Sequence, residues 1–268
     1  AWGLKFMTNR ILELKRRIRE KKPLIHCITN PISINDCANA VLAVGAKPIM
    51  AEHPREVSEI TAGAKALCVN MGNITDARME SILLSGKTAK ALDIPHCIDM
   101  VGVGCSSLRL ELVREYVRQC RPQIIKGNLS EVKAFCGLPA HAVGIDAGEE
   151  ENALPETIRM AKQLAREMDS VVYITGAVDI AAGKENVFLI RNGNPMLCQV
   201  TGTGCMANVL AGTFLSERRP LEAAVLAAAL LGINPHALLN DWQTFGLLFE
   251  NLCMRDLLVY ARALPDIG

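Results

Sequence analysis

Val200-Thr201-Gly202-Thr203-Gly204-Cys205-Met206-Ala207 is a glycine-rich turn between an extended run, Met196 to Val200, and a buried-helix pattern, Met206 to Leu215. The glycines therefore open a helix N-terminus. The first N–H groups of such an end lack intrahelical partners, the dipole is positive there, and two glycines let backbone approach an anion closely. Gly202, Thr203 and Gly204 are thus candidates to cradle a phosphate. Cys205, at the mouth of the turn, is a candidate base or nucleophile, because a helix N-terminus stabilises a thiolate. The competing reading is a tight turn feeding a core helix, with an inert buried cysteine.

Polar or glycine-containing clusters also close most of the strand-like runs. They are His26-Cys27-Ile28-Thr29-Asn30, Met50-Ala51-Glu52-His53, Asn70-Met71-Gly72-Asn73, Asp99-Met100-Val101-Gly102-Val103-Gly104, Lys126-Gly127-Asn128-Leu129-Ser130-Glu131 and Thr175-Gly176. An α/β scaffold places its chemistry in loops at the carboxyl ends of its strands. Repetition along one edge outweighs any single motif.

The elements that must position these clusters alternate. Leu24–Ile28, Pro48–Met50, Ala66–Asn70, His96–Asp99, Gln123–Lys126 and Val171–Thr175 read as strands, and Asp36–Val44, Pro54–Ala64, Arg78–Lys90, Leu108–Arg118 and Pro155–Met168 as helices. That rhythm predicts an α/β fold with a mostly parallel central sheet and helices on both faces. After Thr175 the pattern predicts an antiparallel meander of Val178–Ala182, Val187–Arg191 and Met196–Val200, with a type I′ turn at Asn192-Gly193. Beyond Cys205 the chain reads as helical almost to its end. No linker or repeat interrupts it, so residues 1–268 read as one domain.

Half of the 268 residues are hydrophobic and only 4% aromatic, a composition of Ala, Val, Ile and Leu that suits helices packed on a parallel sheet. With 29 basic and 28 acidic residues the net charge is +1, which supplies no global field for nucleic acid or an acidic membrane. The longest apolar run, Ala223 to Ile233, has 11 residues against the ~20 a membrane helix needs. Ten cysteines are scattered without a C-x-x-C pair or a secretory leader, so a reducing cytoplasm is expected, with neither a zinc site nor a disulfide framework. Ala1-Trp2-Gly3-Leu4-Lys5-Phe6 match no leader and read as a ragged end.

Five ordered blocks, Ile28-Thr29-Asn30, Gly45 to Ala51, Asp99 to Gly104, Gly127 to Glu131 and Val200 to Cys205, resemble those of the hydroxyethylthiazole kinases, members of the ribokinase-like superfamily. The likeness runs from about Pro23 to Leu215. It implies a ribokinase-like three-layer α/β/α fold and phosphorylation of 4-methyl-5-(2-hydroxyethyl)thiazole by Mg2+ and ATP, a salvage step toward thiamine. A homotrimer with thiazole sites at subunit interfaces is implied as well.

Residue by residue, the resemblance makes Asp99 and Glu131 the carboxylates around Mg2+, acting through water, and Lys126 and Thr175 the contacts of ATP. Met50 and Gly202 match substrate positions, and Asn30 is a candidate partner for the ring nitrogen. Cys205 takes the place where many ribokinase-like enzymes carry an aspartate base, provided the helix end lowers its pKa. Alternatives stand beside three of these. Asn128 and Glu131 have capping-box spacing, Asn30 before Pro31 is a natural turn residue, and Lys126 alone reads as a solvent-facing strand-end lysine. Met100, where the family commonly has proline, is expected to free the Asp99 loop, and Cys105 to bring a second thiol near the site. His26, His53 and His96 lack ligand spacing and read as core or loop residues.

A Cys205-dependent acyl transferase and a silent thiazole or nucleotide-binding protein are the competing functions. A dinucleotide oxidoreductase is disfavoured, because no G-x-G-x-x-G follows the first strand.

Overall fold

A computed structural model describes residues 2–139, 147–191, 193, 197 and 200–231. In chain order its helices are α1 (Trp2–Lys21), α2 (Ile34–Ala43), α3 (Val57–Gly63), α4 (Asp76–Ala91), α5 (Ser107–Cys120), α6 (Leu129–Phe135), α7 (Ala147–Met168), α8 (Thr203–Leu215) and α9 (Pro220–Leu231). The strands are β1 (Leu24–Ile28), β2 (Lys47–Ile49), β3 (Ala66–Asn70), β4 (His96–Asp99), β5 (Ile124–Asn128), β6 (Val171–Thr175), β7 (Asp179–Ala182) and β8 (Val187–Ile190). They form one sheet in the order β2-β1-β3-β4-β5-β6-β7-β8. Pairing is parallel up to β6 and antiparallel for β7 and β8. Pro48 lies in the edge strand β2, where a missing ladder donor is tolerated.

Successive side chains of a strand point to opposite faces, and here both faces are covered. Ile25, Cys27, Ala66, Cys68, Cys97, Ile124, Val171 and Tyr173 pack with α1, α2, α8 and α9. Their neighbours Ile28, Leu67, Val69, Ile98, Ile125, Val172 and Ile174 pack with α4 to α7. The result is three layers, helix, sheet and helix. Helix α8 is buried almost all round and lies close against the sheet, because a Cβ at Gly212 would overlap the Cys68 sulfur. Cys68 and Cys97 thiols donate to the carbonyls of Val209 and Asn208, so the contact is bonded as well as packed.

Two expectations change. Trp2–Phe6 belong to α1 rather than to a ragged end. The helix docks through Leu14 and Ile18, both fully buried and four residues apart, on one face of the helix beneath a charged surface. The third meander strand is not formed at its described residues: Val200 N–H turns back to the Leu197 carbonyl, 3.4 Å away, while Met196, Cys198 and Gln199 lie outside the described residues. Asn192 of the expected turn also lies outside them, whereas β7 and β8, the first two strands of the expected meander, do pair antiparallel. The apolar run from Ala223 is the buried α9, although Gly232 and Ile233 fall outside the description. Among the described residues no helix is long and apolar enough to cross a membrane.

Candidate active site

Parallel register puts four polar residues in one row. Asn70 of β3 pairs with Asp99 of β4, Asp99 with Lys126 of β5, and Lys126 with Tyr173 of β6. Asn70, Asp99 and Lys126 each stand two residues beyond an apolar residue facing α8, namely Cys68, Cys97 and Ile124. They therefore face α8 too, where its first turn passes over the strand ends. Lys126 Nζ donates to Asp99 Oδ2 at 2.9 Å, and both side chains are 3% exposed. The solvent-facing reading of Lys126 is therefore overturned.

Burial disfavours the Lys126 ammonium, but Asp99, Glu131 and Cys205 together hold its pKa above the ordinary lysine value. Burial raises the Asp99 pKa, which Lys126 only partly offsets. The ion pair keeps each charge compensated in a site too dry to hold either alone.

Helix α8 closes this row from above. Gly202 is its N-cap with φ 94°, a left-handed conformation that favours glycine, and a Cβ there would lie 3.1 Å from Ser33 Cβ. Met206 N–H is the first to reach an intrahelical carbonyl, that of Gly202 at 2.9 Å. Helix geometry leaves the N–H groups of Thr203, Gly204 and Cys205 without such partners. A Cβ on Gly204 would sit 3.5 Å from Lys126 Nζ, so the ammonium lies directly beside this turn. Cation and helix end add their positive potential at one place, a setting for a multiply charged anion.

Cys205 departs from expectation in its ionisation. Burial pushes its thiol above the ordinary cysteine range. Hydrogen bonds from Ser33 and Asn70 and the charge of Lys126 counter this only in part, and Asp99 reinforces it. The helix end therefore does not deliver a preformed thiolate.

The loop after β4 is firmly placed despite Met100. The Met100 N–H, which proline would lack, donates to the Lys126 carbonyl at 2.8 Å, and the side chain is fully buried. Arg109 Nη1 holds the Met71 and Val101 carbonyls at 2.5 and 3.3 Å. Glu131 is the remaining tie: Oε1 accepts from Gly102 N–H at 2.9 Å and Oε2 from Asn128 N–H at 2.8 Å. Asn128 Oδ1 accepts from Glu131 N–H at 2.9 Å, which completes a capping box on α6. Cys105 is exposed in the turn Val103–Cys105.

Thr175 is half-buried at the tip of β6, beside Asn128. Its loop is anchored by Asp179, whose Oδ1 accepts from Gly176 N–H at 3.0 Å and whose Oδ2 accepts from the Tyr173 hydroxyl at 3.4 Å. Met50, just past β2, packs on the core cluster that includes Cys205 and Met206. Asn30 serves as a cap: its Oδ1 accepts from Ile32 N–H at 3.3 Å and starts the turn Pro31–Ser33. His26 and His96 are buried in the core, and His53 accepts from Arg55 N–H in a loop.

Sequence reasoning missed Asn70, Ser33 and Asp179. Asn70 is fully buried, and its Nδ2 donates to Asp99 Oδ2 at 3.3 Å and to Cys205 Sγ at 3.4 Å. A polar residue ending an otherwise apolar strand was the available signal, but its partners emerge only from the sheet order. Among the described residues no three His, Cys, Asp or Glu side chains cluster to hold a metal ion unaided. Asp99 and Glu131 spend their oxygens on N–H donors yet keep spare lone pairs. That donor set suits Mg2+ held largely by water and phosphate.

The model of the hydroxyethylthiazole kinase family matches residues 15–246. A curated relative, hydroxyethylthiazole kinase 2 of Clostridium botulinum strain Hall, is 52% identical over 226 residues, spanning 83% of this chain and 85% of the relative. The solved hydroxyethylthiazole kinase of Pyrococcus horikoshii OT3 superposes with a TM-score of 0.78 at 31% identity, covering 90% of this chain and 93% of that one. A ribokinase-like superfamily protein from Enterococcus faecalis V583 shares the fold, with a TM-score of 0.59 at 13% identity over 85% of this chain and 87% of that one.

Proposed function

This chain belongs to the hydroxyethylthiazole kinase family, and from that premise we propose how its residues move the γ-phosphoryl group of ATP onto the hydroxyl of 4-methyl-5-(2-hydroxyethyl)thiazole. The observation that carries the reading is the buried Lys126–Asp99 pair beside the open turn of α8. Phosphoryl transfer asks little covalent work of a protein. It needs an alcohol aligned with the γ-phosphate and positive groups around the equatorial oxygens.

In this reading the N–H groups of Thr203, Gly204 and Cys205 receive the transferring group, and Lys126 and Thr175 contact the phosphates of ATP. Asp99 and Glu131 would hold Mg2+, which would supply positive charge against the phosphate oxygens. Met50 and Gly202 line the thiazole pocket, and a soft thioether suits an aromatic ring face. Asn30 stays near the ring as a turn cap. Cys205, protonated at neutral pH, aligns the alcohol as a neutral thiol, and the alcohol's proton leaves late, to an oxygen of the transferred phosphoryl group, which a loose transition state allows.

The acyl-transferase alternative draws no support: Cys205 has a raised pKa, and the described histidines bond elsewhere. Exposed Ile32, next to the Ser33 that meets Gly202, offers apolar surface for a neighbouring subunit and supports a homotrimer with shared sites. The single sheet, covered on both faces, supports reading the described residues as one domain. Mass spectrometry of protein, ATP, Mg2+ and thiazole alcohol tests the reaction: the thiazole monophosphate is expected, and its absence with folded protein refutes the reading.

A further inference from the structure

We propose that Asn70 is a positioning residue of the transfer reaction, its carboxamide tying the Cys205 sulfur to the Asp99–Lys126 pair. The role rests on the kinase reading above. The amide orientation follows from its partners: Oδ1 accepts from Gly72 N–H at 2.8 Å, so Nδ2 must face the other way, toward Asp99 and Cys205. Gly72 makes room for this corner. A Cβ there would lie 2.5 Å from Asn30 Nδ2 and 2.9 Å from Asn70 Oδ1. The backbone is clamped as well, since buried Arg78, paired with Glu52, donates to the carbonyls of Asn70 and Gly72 at 3.4 and 3.5 Å.

Asn70 therefore has no freedom to turn. One of its N–H groups holds the carboxylate that pairs with Lys126, and the other holds the sulfur. With the sulfur accepting from Asn70 and from Ser33, the S–H remains to be donated to the acceptor alcohol. The phosphate-anchoring row and the alcohol-aligning thiol thus keep a fixed geometry, the condition for in-line transfer.

Asn70→Asp separates this role from a purely architectural one. Aspartate preserves the acceptor for Gly72 N–H but puts an oxygen where the Nδ2 donor was. The proposal predicts that kcat falls about ten- to hundredfold while both KM values stay within about threefold. A second buried carboxylate beside Asp99 burdens folding, so Asn70→Ala, Cys205→Ala and the double variant run in parallel, each checked by circular dichroism. Asn70→Ala should lower kcat alone yet add little to Cys205→Ala, because one acts through the other. Wild-type kcat in Asn70→Asp, or additive losses in the double variant, would overturn the role of Asn70 alone. Wild-type protein that makes no thiazole phosphate would overturn the kinase reading and this role together.

Discussion

Lys126 Nζ lies 2.9 Å from Asp99 Oδ2 in the interior, and the same nitrogen would be 3.5 Å from a Cβ on Gly204. One buried cation thus belongs both to an ion pair and to the mouth of helix α8. Asp99→Ala should strand that charge, and breaking a buried pair costs about 3–5 kcal/mol. Denaturant unfolding should show the loss, and the double variant Asp99→Leu/Lys126→Met should recover most of it while staying inactive. Equal instability in the single and double variants would contradict a compensated pair.

Cys205→Ala should lower kcat by about ten- to hundredfold through lost alignment of the alcohol, because burial keeps the thiol protonated and unable to act as a base. Both KM values should hold. Cys205→Ser should retain more activity, since a hydroxyl still accepts from Asn70. Trapping a phosphocysteine at this position would refute direct transfer.

Glu131→Gln can keep only one of the bonds that the two carboxylate oxygens make to Gly102 and Asn128. Loss of one of these bonds, which leaves an N–H without its acceptor, should cost about 1–3 kcal/mol. If Glu131 also holds Mg2+ through water, the Mg2+ concentration for half-maximal rate should rise about ten- to hundredfold. An unchanged Mg2+ requirement would leave Glu131 a cap alone.

Burial raises the Asp179 carboxyl to about 6, against the lowering influence of Gly176, Lys126 and Tyr173. With the folded value above the unfolded one, the native state binds the extra proton between about pH 4 and about 6, so this group's contribution to stability declines as pH rises through that window. Asp179→Asn should flatten that part of the curve, measured as unfolding midpoints against pH. A variant curve parallel to wild type would show that Asp179 does not titrate this way.

Much of the fold was legible because strands such as Ala66–Asn70 and Val171–Thr175 are continuous apolar runs ending in a polar residue, the mark of a strand buried on both faces. Helix α1 was harder, since charged residues between Leu14 and Ile18 mask a spacing that only docking on α8 and α9 makes plain. The Gly202–Cys205 turn announced its helix end correctly. The ionisation of its thiol was illegible, because it is set by burial, which raises it, and by Ser33, Asp99, Lys126 and Asn70 from segments distant in sequence. Asn70 shows the same limit: β3 and β4 are separated by all of α4, so no local pattern pairs Asn70 with Asp99. The capping box around Glu131 was local and could be read from spacing alone.

Transfer of label from γ-phosphate-labelled ATP to hydroxyethylthiazole, followed in wild type and in Lys126→Met, reads out whether the buried ammonium drives the phosphoryl transfer. Wild type should place label on the thiazole alcohol, at a rate at least about a hundredfold above that of a Lys126→Met variant of native circular dichroism. Label that never reaches the alcohol, or that reaches it as fast without the Lys126 ammonium, would contradict the proposed transfer.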